Sequence, residues 1–572
     1  MTGPSDVIDP ATVRLWVRRA VDVLGRARRE IDRANVFPVA DADTGTNMYL
    51  TLLEGRRAVD DLHDDAGVVE LLRALARGAL LGARGNSGVI LSEYLRGLAA
   101  AASDEPGTAV PVDREVVLGA PVVVRALRSA SEAASRAVAD PVPGTILTSA
   151  AAASDAAVAA TSGADALQSA DGVSVLVVLT AACDGALAAL RRSPRELDVL
   201  ARAGVLDAGA FGLVLVLDAL RAAVDPAAVS EAEGTMRVMS AGARDSTTPG
   251  PLRDSLPDSR PDLAGRPELV DGEFEVMFVL EESERGAHGE PGADLAALVR
   301  DGLQQLGESV VVVGGAGGAP GTGAWQAHVH TDHPAQAIDV GRRAAVGRAR
   351  LRQVCVRHLP GLAHEHGTPV AGASDHGVPT TFGEGLGVVA VTSAPGLVPD
   401  LARSGAVVLV TADGGRAPAS AEVRRVVVDA GTARVVVLPG GVDVAEVARR
   451  VATDRDALGG VEVDVLDAPT DLHVVAALAG AQLAEDGHQA AMVRALAQVR
   501  AARVTPDGEA VLSVLDDLLS DAPEVLTVLP GLAVDPAVVE IVAGIARSRV
   551  PGIEVVVLSS GRDEALIELG VE

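Results

Sequence analysis

The residues whose types and spacing could do chemistry begin with Asp41 and Asp43, in the segment NVFPVADADTGTNMYLTL from Asn35 to Leu52. The segment is a loop punctuated by Pro and Gly. If it curls, two carboxylates two residues apart converge on one point, and Mg²⁺ takes such hard oxygen ligands together with substrate phosphates. Asn35 and Asn47 could complete the shell. The same letters also suit an Asx-rich turn that caps a helix starting near Thr46. A second segment, GALLGARGNSGVILSEYLRG, sets Gly85, Asn86, Ser87 and Gly88 at the first turn of an apolar helix. Free amides at such a terminus bind phosphate. An ordinary junction, where glycine permits close packing, reads the same way. PVPGTILTS, with Gly144 and Thr145, and AGVLDAGAFGL, with Asp207, Gly209 and Gly212, have the same character, and each is also a plain helix boundary.

Composition narrows this chemistry. The 572 residues contain no lysine, so a phosphate loop ending in Gly-Lys-Ser/Thr is excluded and metal, arginine or backbone amides must do its work. The net charge of -29, from 49 basic and 78 acidic residues, argues against nucleic acid or an anionic membrane as the main partner. Cys183 and Cys355, the two cysteines, support neither a disulfide framework nor a cysteine-rich zinc module. The first residues carry charges every few positions, unlike a signal peptide, and apolar runs such as Val173 to Cys183 are too short for a bilayer span. A cytoplasmic protein is expected.

The elements that must position these residues follow from periodicity. Asp9 is an N-cap, Pro10 suits the first turn, and Val13, Trp16, Val17, Ala20, Leu24, Ala27 and Ile31 recur at helical spacing. Helical patterns continue through Val68–Ala83, Val89–Ala102, Val117–Ala139, Thr148–Thr161, Val173–Arg191 and Gly212–Ala223, so residues 1–225 read as all-α. Residues 226–266 read as a linker rich in Ser, Pro, Gly, Asp and Arg. An α/β segment is expected over 267–360, with FEVMFVLE, ESVVVVGG and AWQAHVH as strands, a hairpin loop at Gly314–Gly323, and helices at Asp294–Leu306 and Pro334–Gly341. A second linker, 361–385, precedes a last α/β segment, 386–572. There LGVVAVT, AVVLVT, ARVVVLP, VEVDVLD, EVLTVLP and IEVVVLS alternate with helices as buried parallel strands do.

The order DADTGTNM, GARGNSGVILS, PGTILT and SPRELDVLARAGVLDAGAFGL resembles the nucleotide-binding domain of dihydroxyacetone kinases, in the version that opens the ATP-binding subunit of bacterial fatty-acid kinase. The resemblance implies an antiparallel eight-helix barrel with Mg-ATP at one end. It implies that Asp41 and Asp43 are the catalytic, metal-binding carboxylates, with Asn35 near a third ligand position. Thr44, Gly45 and Asn47 would lie close to the phosphates, Asn86, Ser87 and Gly88 would face them, and Thr145, Asp207 and Gly209 would line the same end. The family has Pro and Gly where this chain has Ala40 and Ala42. If residue 42 needs φ > 0, alanine costs about 1 kcal/mol there.

FEVMFVLE, LGESVVVVGG, AWQAHVHTDHPAQAIDVG and the strand near Val354 resemble the family's middle domain, with His328 and His330 as its His-x-His strand. That resemblance implies zinc, with Glu275 standing where cysteine is usual and His333, Cys355 or His358 as helpers; ordinary strand histidines are the alternative. The last segment is similar to DegV-type fatty-acid-binding domains, but ADGGRAPAS, containing Gly414, Gly415, Arg416 and Ser420, replaces their Gly-Gly-Gln-Thr motif. It reads as a docking or homodimerisation domain. The resemblance as a whole implies a kinase that moves the γ-phosphate to a fatty-acid carboxylate carried by a separate DegV-type binding protein. A carboxylate ionised at neutral pH needs no general base. A kinase for dihydroxyacetone or another small hydroxyl compound, and a nucleotide-binding regulator or scaffold, are the alternatives.

Overall fold

The computed structural model describes residues 7–37, 42–103, 117–138, 141–162, 173–227, 272–283, 295–315, 323–359, 385–411, 417–455, 458, 460–484 and 487–572. They form two compact units, one of the described residues up to 270 together with Val310–Gly315, the other of the rest. Among them, no helix is long and apolar enough to cross a membrane. The expected linkers fall almost wholly outside the described residues.

The first unit is helical: α1 (Pro10–Ala34), α2 (Thr44–Asp60), α3 (Val68–Gly82), α4 (Gly85–Ser103), α5 (Ala120–Ala137), α6 (Ile146–Ser162), α7 (Val175–Glu196), the short α8 (Asp198–Ala203) and α9 (Ala208–Val224). Asp9 caps α1 by accepting from Thr12 N at 2.7 Å, and Pro10 occupies its first turn. The apolar stripe from Val13 to Ile31 is buried, and Trp16 Nε1 donates to Val216 O at 3.0 Å, tying α1 to α9. Each long helix packs on the next, and α9 returns to α1. Small residues allow the close approaches, as where Gly185 of α7 meets Ala152 and Ala156 of α6. α9 is buried on nearly every side, which its unbroken run from Ala208 to Leu217 required.

After the helical part the chain forms β1 (Phe274–Glu282), α10 (Leu295–Gln304), β2 (Gly307–Gly315), β3 (Ala324–Thr331), α11 (Pro334–Ala345) and β4 (Ala349–His358). It continues with β5 (Leu386–Thr392), α12 (Val398–Arg403), β6 (Val407–Val410), α13 (Ser420–Asp429), β7 (Arg434–Leu438), α14 (Val442–Ala452), β8 (Glu462–Val465), α15 (Asp471–Gln482) and α16 (His488–Gln498). It ends with β9 (Arg500–Val504), α17 (Gly508–Leu518), β10 (Val525–Pro530), α18 (Pro536–Arg549), β11 (Glu554–Val557) and β12 (Ile567–Val571).

The middle and last α/β segments share one sheet of eight strands, in the order β2-β3-β1-β4-β6-β5-β7-β8. The seam is antiparallel pairing of β4 with β6, Val354 opposite Val410 and Val356 opposite Val408. β5 to β8 pair in parallel and read as near-continuous apolar runs because both faces of β5, β6 and β7 are covered. EVLTVLP and IEVVVLS differ from the expectation of one parallel set. They form β10 and β11 of a second, mixed sheet, β11-β10-β12-β9, whose strands RAARV and IELGV gave no clear signal. Charged residues interrupt both of those strands, and Glu568 on β12 is buried against Arg562 at 3.3 Å.

Candidate functional site

Helices α2, α4, α6 and α9 begin at the same end of the helical unit. Asn47, in the first turn of α2, lies against Gly85, the first residue of α4, and a Cβ on Gly85 would collide with Asn47 Nδ2. Gly85 also sits at φ 54°, so glycine is required there twice over. Gly88 packs against Thr51 Oγ1, which accepts from Arg84 N at 3.2 Å. Across the same end, the Asp207 carboxylate accepts from Ala210 N at 2.7 Å and from the backbone of Ile146, so one side chain caps α9 and α6 together. Gly212 against the Met48 thioether joins the α9 and α2 halves. Four helix amino termini thus share one end, with amides and dipoles suited to an anion.

At the start of α2, Asp43 occupies the N-cap position but makes no side-chain capping bond to its own helix. The cap comes instead from Asp32, in the last turn of α1, which accepts from Thr46 N at 2.9 Å and Thr46 Oγ1 at 2.8 Å. Burial pushes the Asp32 carboxyl up to about 6, against the lowering by its bonds to Thr46, and the negative charge of Asp43 adds to the rise. Asp32 was not legible as a site residue, because its partner lies 14 positions away and no local motif links them. Ala42 takes φ 54°, the left-handed conformation that its side chain disfavours. Asp41 lies outside the described residues. Asn35 is the buried C-cap of α1, its N–H donating to Asp32 O.

Thr44, Gly45 and Asn47 are buried in the first turn of α2, while Asn86 and Ser87 lie in that of α4, Ser87 half-buried. Asn86 Oδ1 is buried without a hydrogen-bond partner in the protein, so a donor brought by a ligand or water would satisfy it. Thr145 Oγ1 donates to Val142 O at 2.8 Å, and Gly209 approaches Ile146. Burial pushes the Asp207 carboxyl up to about 7, although its hydrogen bonds from Ala210 and Ile146 act to lower it.

The sheet of the second unit carries the other predicted cluster. Glu275 on β1 and His328 and His330 on β3 are brought together and buried. His328 Nε2 lies 3.0 Å from Glu275 Oε1, and Arg357 Nε on β4 lies 3.1 Å from Glu275 Oε2. His333 and His358 are elsewhere, His333 as the N-cap of α11 and His358 paired with Glu273 at 3.3 Å, while Cys355 lies opposite Met277 on the same face of the sheet but outside the three-donor group. Gly414, Gly415 and Arg416 lie outside the described residues, and Ser420 opens α13.

Residues 38–222 match the DAK2 domain family. Residues 271–358 match the FakA-like middle-domain family of fatty acid kinases. The chain is 26% identical to protein YloV of Bacillus subtilis over 87% of this chain and 81% of that one. It is 25% identical to a Staphylococcus saprophyticus protein over 83% and 77%. Among solved structures, one similar chain is the Streptococcus pneumoniae fatty acid kinase B3 protein loaded with linoleic acid, at 9% identity and TM-score 0.25 over 33% of this chain and 99% of that one. Another is the C. freundii dihydroxyacetone kinase with AMP-PNP and Mg²⁺, at 19% identity and TM-score 0.26 over 39% and 35%.

Proposed function

We propose, for a chain that carries a DAK2 domain followed by a FakA-like middle domain, that the helical unit binds Mg-ATP and transfers its γ-phosphate to a fatty-acid carboxylate. The observation that carries the reading is the gathering of four helix amino termini around Asp43, Asn47 and Asn86 inside the DAK2 match. Asp41 and Asp43 hold Mg²⁺, with Asn35 beside them. Thr44, Gly45, Asn47, Asn86, Ser87 and Gly88 cradle the phosphates, and Thr145, Asp207 and Gly209 shape the opposite wall.

Phosphoryl transfer through a loose transition state requires positioning and charge neutralisation more than covalent help. The helix amides and the aspartate-bound metal supply both without lysine. An ionised carboxylate attacks directly and gives an acyl phosphate. The acyl chain arrives on a separate fatty-acid-binding protein of DegV type, and the second unit docks it. The test is ATP-dependent phosphorylation of oleate by the purified chain with and without such a binding protein. Product formed only with both proteins is expected. Nucleotide binding with no turnover on any carrier would favour a regulatory protein, the reading that the strained Ala42 beside Asp43 supports.

A further inference from the structure

Glu275, His328 and His330 form a donor set from which a metal ion is the natural expectation, and zinc is what the middle-domain resemblance implies. The charges of this chain are arranged otherwise. β1 lies between β3 and β4, and the register places His330, Glu275 and Arg357 directly opposite one another in a single cross-strand row. Their side chains therefore leave the sheet on one face, and His328, two residues from His330, shares it.

The Glu275 carboxylate and the His328 ring on that face are already matched. Arg357 Nε meets one oxygen of Glu275 at 3.1 Å, and His328 Nε2 meets the other at 3.0 Å. The second nitrogen of His328, Nδ1, faces Ser309 O at 3.2 Å. Both ring nitrogens of His328 are thus taken up by oxygens of the protein. A dication on Glu275 would sit beside a guanidinium already fixed to the same carboxylate, where burial leaves little screening. Nor is a fourth ligand at hand among the described residues, since the cluster is limited to these three donors, whereas structural zinc is held by a closed set of four. Zinc does not fit this arrangement.

We propose that Arg357 is a built-in counter-cation in place of a metal, so that the Arg357–Glu275–His328 chain ties β4, β1 and β3 together and the fold of this sheet is independent of metal ions.

The test uses the full chain, produced in zinc-supplemented medium and purified without chelator, with elemental analysis and thermal unfolding with and without EDTA. Zinc below about 0.1 per chain is expected, with a midpoint that chelation leaves unchanged; these bounds follow from a fold that draws no free energy from metal. Arg357→Met should lower the midpoint of the α/β unit by roughly 5–10 °C, because it strands a buried carboxylate. Arg357→Lys, which keeps the charge, should recover much of that loss. Close to one zinc per chain, with a midpoint that falls on chelation, would overturn the proposal. So would a metal-free Arg357→Met chain as stable as the wild type. If Arg357→Met does not fold, the Lys variant and the wild-type zinc content still decide the matter.

Discussion

The loop end of the helical unit and the histidine face of the eight-stranded sheet both collect acidic and polar residues, yet they differ in what remains to be satisfied. On the sheet, Glu275 is held between the His328 ring at 3.0 Å and the Arg357 guanidinium at 3.1 Å behind a buried face. At the helix termini, Asn86 Oδ1 is left without a hydrogen-bond partner in the protein, and the side-chain cap of α2 comes from Asp32 rather than from Asp43. Similar residue types therefore do opposite work: paired charges hold strands in register, whereas a buried acceptor left over among gathered helix amino termini suits a ligand that brings its own donors or charge.

The sharpest way to break this contrast is to neutralise each region and ask what is lost. Asp41→Asn or Asp43→Asn should weaken Mg-ATP binding or turnover by about 10²-fold or more, as loss of a metal-binding charge does, with the helical circular dichroism unchanged. Unaltered titration calorimetry with Mg-ATP in both variants would remove the metal from this loop. Arg357→Met should behave in the reverse manner, with stability lost and nucleotide affinity kept.

Asp207 tests where the boundary between binding and scaffold runs within the helical unit. Its carboxyl is raised by burial to about 7, so the stability it contributes is full below the unfolded value of 3.8 and is lost as pH rises through about 7. Asp207→Asn keeps an acceptor for Ala210 N without the buried charge. It should be the more stable protein at pH 8, by on the order of 1–2 kcal/mol, and the gap should close as pH falls toward 4. Denaturant melts at several pH values would show this. Nucleotide affinity within a few-fold of wild type would mark Asp207 as a cap; a large loss would make it part of the binding wall.

The smallest expected effect belongs to Ala42. At φ 54° a glycine avoids the Cβ clash, so Ala42→Gly should stabilise the helical unit by about 1 kcal/mol. An unchanged or lower denaturation midpoint would mean that the loop relaxes in another way.

The sequence by itself determined the helices, the strands of the first sheet, and the four segments whose termini meet. Those features are written locally: the Asp9–Pro10 start of α1, a stripe repeating every three to four residues, and unbroken Val and Leu runs where both sheet faces are buried. The strands RAARV and IELGV were lost because charges that find partners only in the folded state, such as Glu568 with Arg562, break the apolar pattern. Tertiary structure alone decided that β4 joins β6 to make one sheet of two segments, that Asp32 rather than Asp43 caps α2, and that Arg357 meets Glu275 from a strand far along the chain. The physical reason is one of range. Caps and periodicity act over a turn or two of backbone, whereas the partner of a buried charge is set by strand order and register, which bring together residues with no local relation in the chain.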